Sequence, residues 1–138
     1  QALSEEELKF LISIGPKEQG YLLWIALCRQ YRFIADFAVE VIREKLLSLR
    51  YDLSYEDYDL FFNQKTEEHP ELDALSPSSR NKLRQVLFKS LREAELLNPN
   101  NSINIVIPTP GFRELLRKAN SPSIMYLPLG EPFERSLK

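Results

Sequence analysis

Ser78-Ser79-Arg80-Asn81-Lys82-Leu83-Arg84-Gln85-Val86-Leu87-Phe88-Lys89-Ser90-Leu91-Arg92-Glu93-Ala94-Glu95-Leu96-Leu97 is followed by Asn98-Pro99-Asn100-Asn101 and then by Ile103-Asn104-Ile105-Val106-Ile107-Pro108. In the first segment Leu83, Val86, Leu87, Ser90, Leu91, Ala94 and Leu97 recur at about 100° per residue, which predicts a helix burying that stripe. Asn81, Gln85, Phe88, Lys89 and Arg92 fall on the opposite face, flanked by Lys82. The Asn and Pro cluster predicts a turn, and the alternation of Ile103, Ile105 and Ile107 with Asn104 and Val106 predicts a short strand stopped by Pro108. Basic helix, turn and short strand is the pattern of the C-terminal half of a winged helix. The fold expected is therefore mainly α, a compact helical domain with a winged-helix-like C-terminal half.

Upstream, Ser76-Pro77-Ser78 supplies a cap and start for the basic helix, and Pro70 disfavours helix at His69. Ser54 caps a helix carrying Tyr55, Tyr58, Phe61 and Phe62 on one face. The connection between these two helices, about residues 66 to 77, is longer than the three or four residues usual in a helix-turn-helix. Further back, Leu49 to Leu53 reads as extended. Phe33, Ile34, Phe37, Ala38, Val41, Ile42 and Leu46 form one amphipathic stripe, bent near Gln30 and Tyr31 from the apolar helix that holds Leu22 to Cys28. Ser4 and Glu7 form a capping box ahead of Leu8, Leu11 and Ile12. Downstream, Phe112 to Ala119 predicts a last short helix, and Ile124, Met125, Tyr126 and Leu127 anchor an irregular tail. The expected organisation is one domain over 1–138, with core helices in 1–53, the helix-turn-helix and wing-like part in 54–110, and the terminal helix and tail in 111–138. The first residues, Gln1-Ala2-Leu3-Ser4, lack an initiator methionine, so a piece of a longer chain without an N-terminal segment is expected.

The composition, 43% hydrophobic and 28% charged over 138 residues, is that of a globular domain able to bury a core. Charge is unevenly spread: residues 1–75 hold eight Lys/Arg against fifteen Asp/Glu, and residues 76–138 hold ten against five. That asymmetry points to a basic working face in the second half. The single cysteine, Cys28, permits no intrachain disulfide and predicts a reduced, cytoplasmic setting. No apolar run approaches the ~20 residues that span a bilayer, so no membrane partner is expected.

Residue types and spacings offer no catalytic constellation. One His and one Cys cannot build an ordinary zinc site. Asp52, Glu56, Asp57 and Asp59 lack the glycine and distal glutamate of a calcium loop and read as a solvated helix face. His69 has no nucleophile-elbow serine, and Gly15, Gly20, Gly111 and Gly130 are too scattered to cradle a phosphate. The expectation is a protein without catalytic residues, metal or cofactor. The candidate nucleic-acid-binding set is Arg80, Asn81, Lys82, Arg84, Gln85, Lys89 and Arg92: the cations suit phosphates, and Asn81 with Gln85 suits base edges. A merely solvated surface helix fits these residues equally well.

The run Leu23-Trp24-Ile25-Ala26-Leu27-Cys28-Arg29-Gln30-Tyr31-Arg32-Phe33-Ile34, continuing into Phe37-Ala38-Val39-Glu40-Val41-Ile42-Arg43-Glu44, resembles the BrxA family of the BREX (bacteriophage exclusion) defence systems. Leu53-Ser54-Tyr55-Glu56-Asp57-Tyr58-Asp59, Phe62-Asn63-Gln64-Lys65, His69-Pro70-Glu71-Leu72 and Leu83-Arg84-Gln85-Val86-Leu87-Phe88 extend the resemblance, in order, over about residues 3 to 107. It implies a non-enzymatic helical protein with helix-turn-helix-like parts that binds double-stranded DNA beside other BREX components. It also implies a helical arrangement similar to that of the antitermination factor NusB, which keeps RNA open as a ligand. A third reading makes the chain a protein-interaction module of the same system, docking through its acidic half or through Ile124 to Leu127.

Overall fold

The computed structural model describes residues 3–13, 15–118 and 122–129. Its elements are α1 (Glu5–Ser13), α2 (Pro16–Gln30), α3 (Arg32–Phe37), a π-helical turn (Ala38–Arg43), α4 (Glu44–Leu47), α5 (Tyr55–Glu68), α6 (Pro70–Asp73), α7 (Pro77–Glu93), α8 (Pro110–Lys118) and a final 3-10 turn (Pro122–Tyr126). The caps lie where side-chain chemistry asks for them. The Ser4 N–H donates to Glu7 Oε1 at 2.8 Å and the Glu7 N–H to Ser4 Oγ at 3.2 Å, a reciprocal pair that opens α1. Ser54 and Asp57 do the same for α5, and Ser76 ahead of Pro77 opens α7. Tyr31, in extended conformation, separates α2 from α3.

α2 supplies Leu22, Trp24, Ile25 and Cys28 to a single buried core that also holds Ile34 and Phe37 of α3, Tyr58, Phe61 and Phe62 of α5, and Leu87 and Leu91 of α7. Gly20 lets α2 pass close to the end of α7: a Cβ there would lie 3.3 Å from the Ala94 Cα. That close approach accounts for a glycine inside a helix, where it costs about 1 kcal/mol relative to alanine. The C-terminal segment closes the core. Trp24 Nε1 donates to the Tyr126 carbonyl at 2.9 Å, and Leu127 and Leu129 are buried.

The expected wing is not a strand. Among the described residues there are only isolated bridges, Asp52 with Ser102, Leu97 with Ile103, and Val106 with Leu129. The segment changes partner at nearly every step: Ile103 N–H donates to Tyr51, Asn104 N–H to Leu96 and Val106 N–H to Pro128. A ladder needs one partner over several residues, and none is present here. Ile103 and Val106 are buried while Ile105 and Ile107 are exposed, so the anticipated face alternation is absent. The connection between α5 and α7 contains α6, so a three- or four-residue turn does not join them either.

Two other expectations are corrected. Phe88, assigned to the outer face, is fully buried, whereas Val86 is 48% exposed. The helix is rotated toward α5, where Phe88 meets Tyr55 edge-on at 4.7 Å between ring centroids. The helix also stops at Glu93 rather than near Leu97, because Glu95 takes a left-handed conformation (φ 60). The Leu96 N–H then returns to the Leu91 carbonyl and the Glu95 N–H to that of Arg92, the two bonds of a Schellman ending.

Candidate nucleic-acid interface

α7 has cations on two sides, and the structure treats them differently. The arginines turn inward along the flank that faces α5 and the turns at either end. Arg80 Nε donates to the Leu75 carbonyl at 3.1 Å and its Nη2 to the Asp73 carbonyl at 2.8 Å, with the guanidinium 5.1 Å from the Phe62 ring. Arg84 Nη1 donates to both Asp59 carboxylate oxygens at 3.2 Å and lies 4.7 Å from the Tyr55 ring. Arg92 Nη2 donates to Asn101 Oδ1 at 2.6 Å, 5.9 Å from the Phe88 ring, and so secures the turn that follows the helix. Planar guanidinium groups are suited to this combination of forked donation and stacking.

Lys82, Gln85 and Lys89 occupy the opposite, exposed face, and Asn81 is exposed at its edge, where it also lines the cleft between α5 and α7. Lys89 has a loose pair with Glu93 at 3.8 Å, both side chains being solvated, and among the described residues Lys82 has no ion pair. The first turn of α7 carries no acidic residue, and Ser78 and Ser79 are exposed there. The positive end of the helix dipole is therefore not neutralised by a side chain of that turn. Of the seven candidate residues, four are presented to solvent and three are tied to protein partners.

The acidic half ties its buried charges into pairs. Glu7, almost fully buried, accepts from Arg29 Nη1 at 2.7 Å and Nη2 at 2.9 Å, and Arg29 Nε donates to the buried Ser123. Burial alone would raise the Glu7 pKa, but the bonds from Arg29 and Ser4 and the guanidinium charge outweigh it and hold the carboxyl below its ordinary range. Lys45 pairs with Asp57 at 3.1 Å, and Lys65 with Asp36 at 3.1 Å and Glu40 at 2.8 Å. Burial pushes the Cys28 thiol well above its ordinary pKa, so it is inert at neutral pH. Among the described residues no three His, Cys, Asp or Glu side chains cluster as metal ligands, and no helix is long and apolar enough to cross a membrane.

The Ile124 to Leu127 segment is partly engaged by the core, with Ile124, Met125 and Tyr126 half-buried. Leu127 is buried, the Tyr126 carbonyl is taken by Trp24, and Ile124 and Tyr126 pack against the core.

No curated protein matches this chain. A solved structure, that of an uncharacterized protein from Magnetospirillum magneticum, superposes with a TM-score of 0.73 at 18% identity. The match covers 83% of this chain and 62% of that one, so the chain spans less than two thirds of its structural relative. At that identity the likeness establishes a shared fold and nothing finer. The sequence profile named BrxA matches residues 1–120, and the chain thus belongs to the BrxA family of BREX phage-defence components.

Proposed function

We propose that the chain is a non-catalytic, cytoplasmic component of BREX defence that binds duplex DNA through the outer face of α7. The observation that carries this reading is the exposed row of Asn81, Lys82, Gln85 and Lys89, with the two lysines two helical turns apart. Lysines there can neutralise phosphates, and the amides of Asn81 and Gln85 can approach base edges or sugar oxygens. Arg80, Arg84 and Arg92 position that face by fixing α7 to α5 and to the turns at its ends. With so few direct phosphate contacts, binding should be modest and tolerant of sequence.

The test is fluorescence anisotropy of a labelled random duplex at several salt concentrations. Two lysines predict a slope of roughly −2 for log affinity against log salt, by the rule of about −0.9 per neutralised phosphate. A Lys82→Glu, Lys89→Glu variant should bind at least about tenfold more weakly, which corresponds to ~1.4 kcal/mol. Binding that the variant retains in full would overturn the placement of the face. Displacement by single-stranded RNA in preference to duplex DNA would favour the NusB-like reading.

An assembly role has one observation of its own. Gly20, Leu23, Trp24, Leu27 and Ala94 line a mainly apolar cleft of about 210 Å³ between α2 and the end of α7, and Leu23 is 55% exposed at it. A folded chain without affinity for nucleic acid would move the function to protein contacts of that kind.

A further inference from the structure

Lys17, in the first turn of α2, and Glu95, just after α7, line one cleft of about 450 Å³ together with Tyr21, Ile103, Asn104 and Ile105. Both charged residues are exposed, yet they do not pair with each other, and among the described residues neither has another ion pair. Burial, and then the Glu95 charge, raise the Tyr21 pKa, so the Glu95 carboxylate lies on the cleft side of its turn. Glu95 holds this place at φ 60, a conformation that glycine enters without strain. The strained position thus carries a charge that glycine would lack. The Ile105 wall of the cleft is an open edge. Ile105 is 46% exposed and Ile107, two residues on, is 75% exposed. Among the described residues the Ile105 N–H and C=O have no partner, while Asn104 and Val106 on either side donate to Leu96 and Pro128.

We propose that this edge is a contact between two copies of the chain, related by a two-fold axis through the cleft. An axis passing between Lys17 and Glu95 sets Lys17 of each copy against Glu95 of the other. One unpaired cation and one unpaired anion then become two intermolecular pairs, and this self-complementarity selects a second copy as the occupant. An anion or a cation alone would be attracted by one of the two charges and repelled by the other. At the axis Ile105 meets its own counterpart, and its free N–H and C=O can exchange bonds with it, as directly opposed residues of antiparallel strands do. Ile107 extends the apolar contact. Unpaired edges of this kind are ready templates for a second chain. Lys82 and Lys89 do not line the cleft, so the contact stands apart from the DNA reading of α7.

The test is sedimentation velocity of the 138-residue chain over a concentration series reaching roughly millimolar, a range that registers even weak association. A monomer–dimer equilibrium that weakens with salt is expected. Lys17→Glu and Glu95→Lys each place like charges opposite one another twice, so each alone should weaken the dimer at least about tenfold. Both positions are exposed, and the urea midpoint should stay nearly where it is. The double variant restores the opposite charges and should recover the dimer. An equimolar mixture of the two single variants should also associate, although neither does so well alone. Glu95→Gly, which relieves the backbone strain, should fold at least as well and still dimerise more weakly. A chain that stays monomeric throughout the series overturns the proposal, as does a dimer indifferent to either reversal. Single variants that weaken the dimer without recovery in the double variant or the mixture overturn the pairing of Lys17 with Glu95.

Discussion

The acidic first half and helix α7 both contain several cations, but only α7 sets part of them outward along one face. In residues 1–75 the cations Arg29, Lys45 and Lys65 are sunk into the fold against Glu7, Asp57, Asp36 and Glu40. In α7, Arg80, Arg84 and Arg92 are similarly engaged, yet Lys82 and Lys89 extend into solvent. Net charge by segment therefore overstates the working surface: the basic excess of the second half includes three arginines that hold helices together. A guanidinium can stack and donate at once, so the α7 arginines clamp beside aromatic rings, whereas an ammonium is strongly hydrated and goes inside only where carboxylates receive it, as Asp57 receives Lys45 and Asp36 and Glu40 receive Lys65.

The comparison can be broken at its strongest point with Glu7→Gln. Removing the carboxylate leaves Arg29 with a neutral partner inside the fold, and a loss of about 3 kcal/mol at pH 7 is expected in urea unfolding. The folded Glu7 pKa is depressed, so the unfolded state takes up its proton first as pH falls. The stabilisation is complete above the ordinary glutamate value of 4.5 and is lost progressively below it. The difference between the variant and the parent should shrink correspondingly at pH 3, and a constant difference would assign the loss to packing alone. The next effect is that of Arg92→Glu, which breaks the bond to Asn101 and the contact with Phe88; it should cost about 2 kcal/mol, within the range for losing a charged hydrogen bond. A neutral outcome would dissolve the division between clamping arginines and presenting lysines.

Smaller changes sharpen the same picture. Glu95→Gly should raise stability by about 0.5–1 kcal/mol, since glycine enters the left-handed region without strain. An unchanged midpoint would mean that the Glu95 side chain offsets that strain. The smallest effect belongs to the outer face: Lys82→Glu with Lys89→Glu should leave stability within about 0.5 kcal/mol. A larger loss would show these lysines to be structural, and any fall in DNA affinity would then have to be corrected for unfolding.

What could be read from the sequence was what local chemistry decides. Ser4 with Glu7, Ser54 ahead of Asp57 and Ser76 ahead of Pro77 fix helix starts through their own side chains and ring, and each is where the sequence places it. Helix ends carry a weaker local signal. The stops after α4 and α7 use Leu49 and Glu95 in left-handed conformations, and nothing in either residue type announces a stop where glycine would. Leu83, Leu87 and Leu91 marked the correct side of α7, but whether Val86 or Phe88 flanked it was settled by Tyr55 on a different helix. The strand expected at Ile103 to Ile107 failed for the same reason, because alternation describes one chain and a ladder takes two. The candidate binding residues were legible as a helix face, while their division into clamps and free lysines depended on Asp59, Phe62, Asp73 and Asn101, which approach from other elements.

The bond from Trp24 to the Tyr126 carbonyl joins residues 102 positions apart, and the segment around it lies beyond the 120 residues matched by the family profile. During synthesis the Trp24 indole must wait for that closing segment. At about 5–20 residues per second, the interval is roughly 5 to 20 seconds. Through that time the Trp24 indole N–H lacks its carbonyl partner, and a copy terminated at residue 120 would lack it for its whole life.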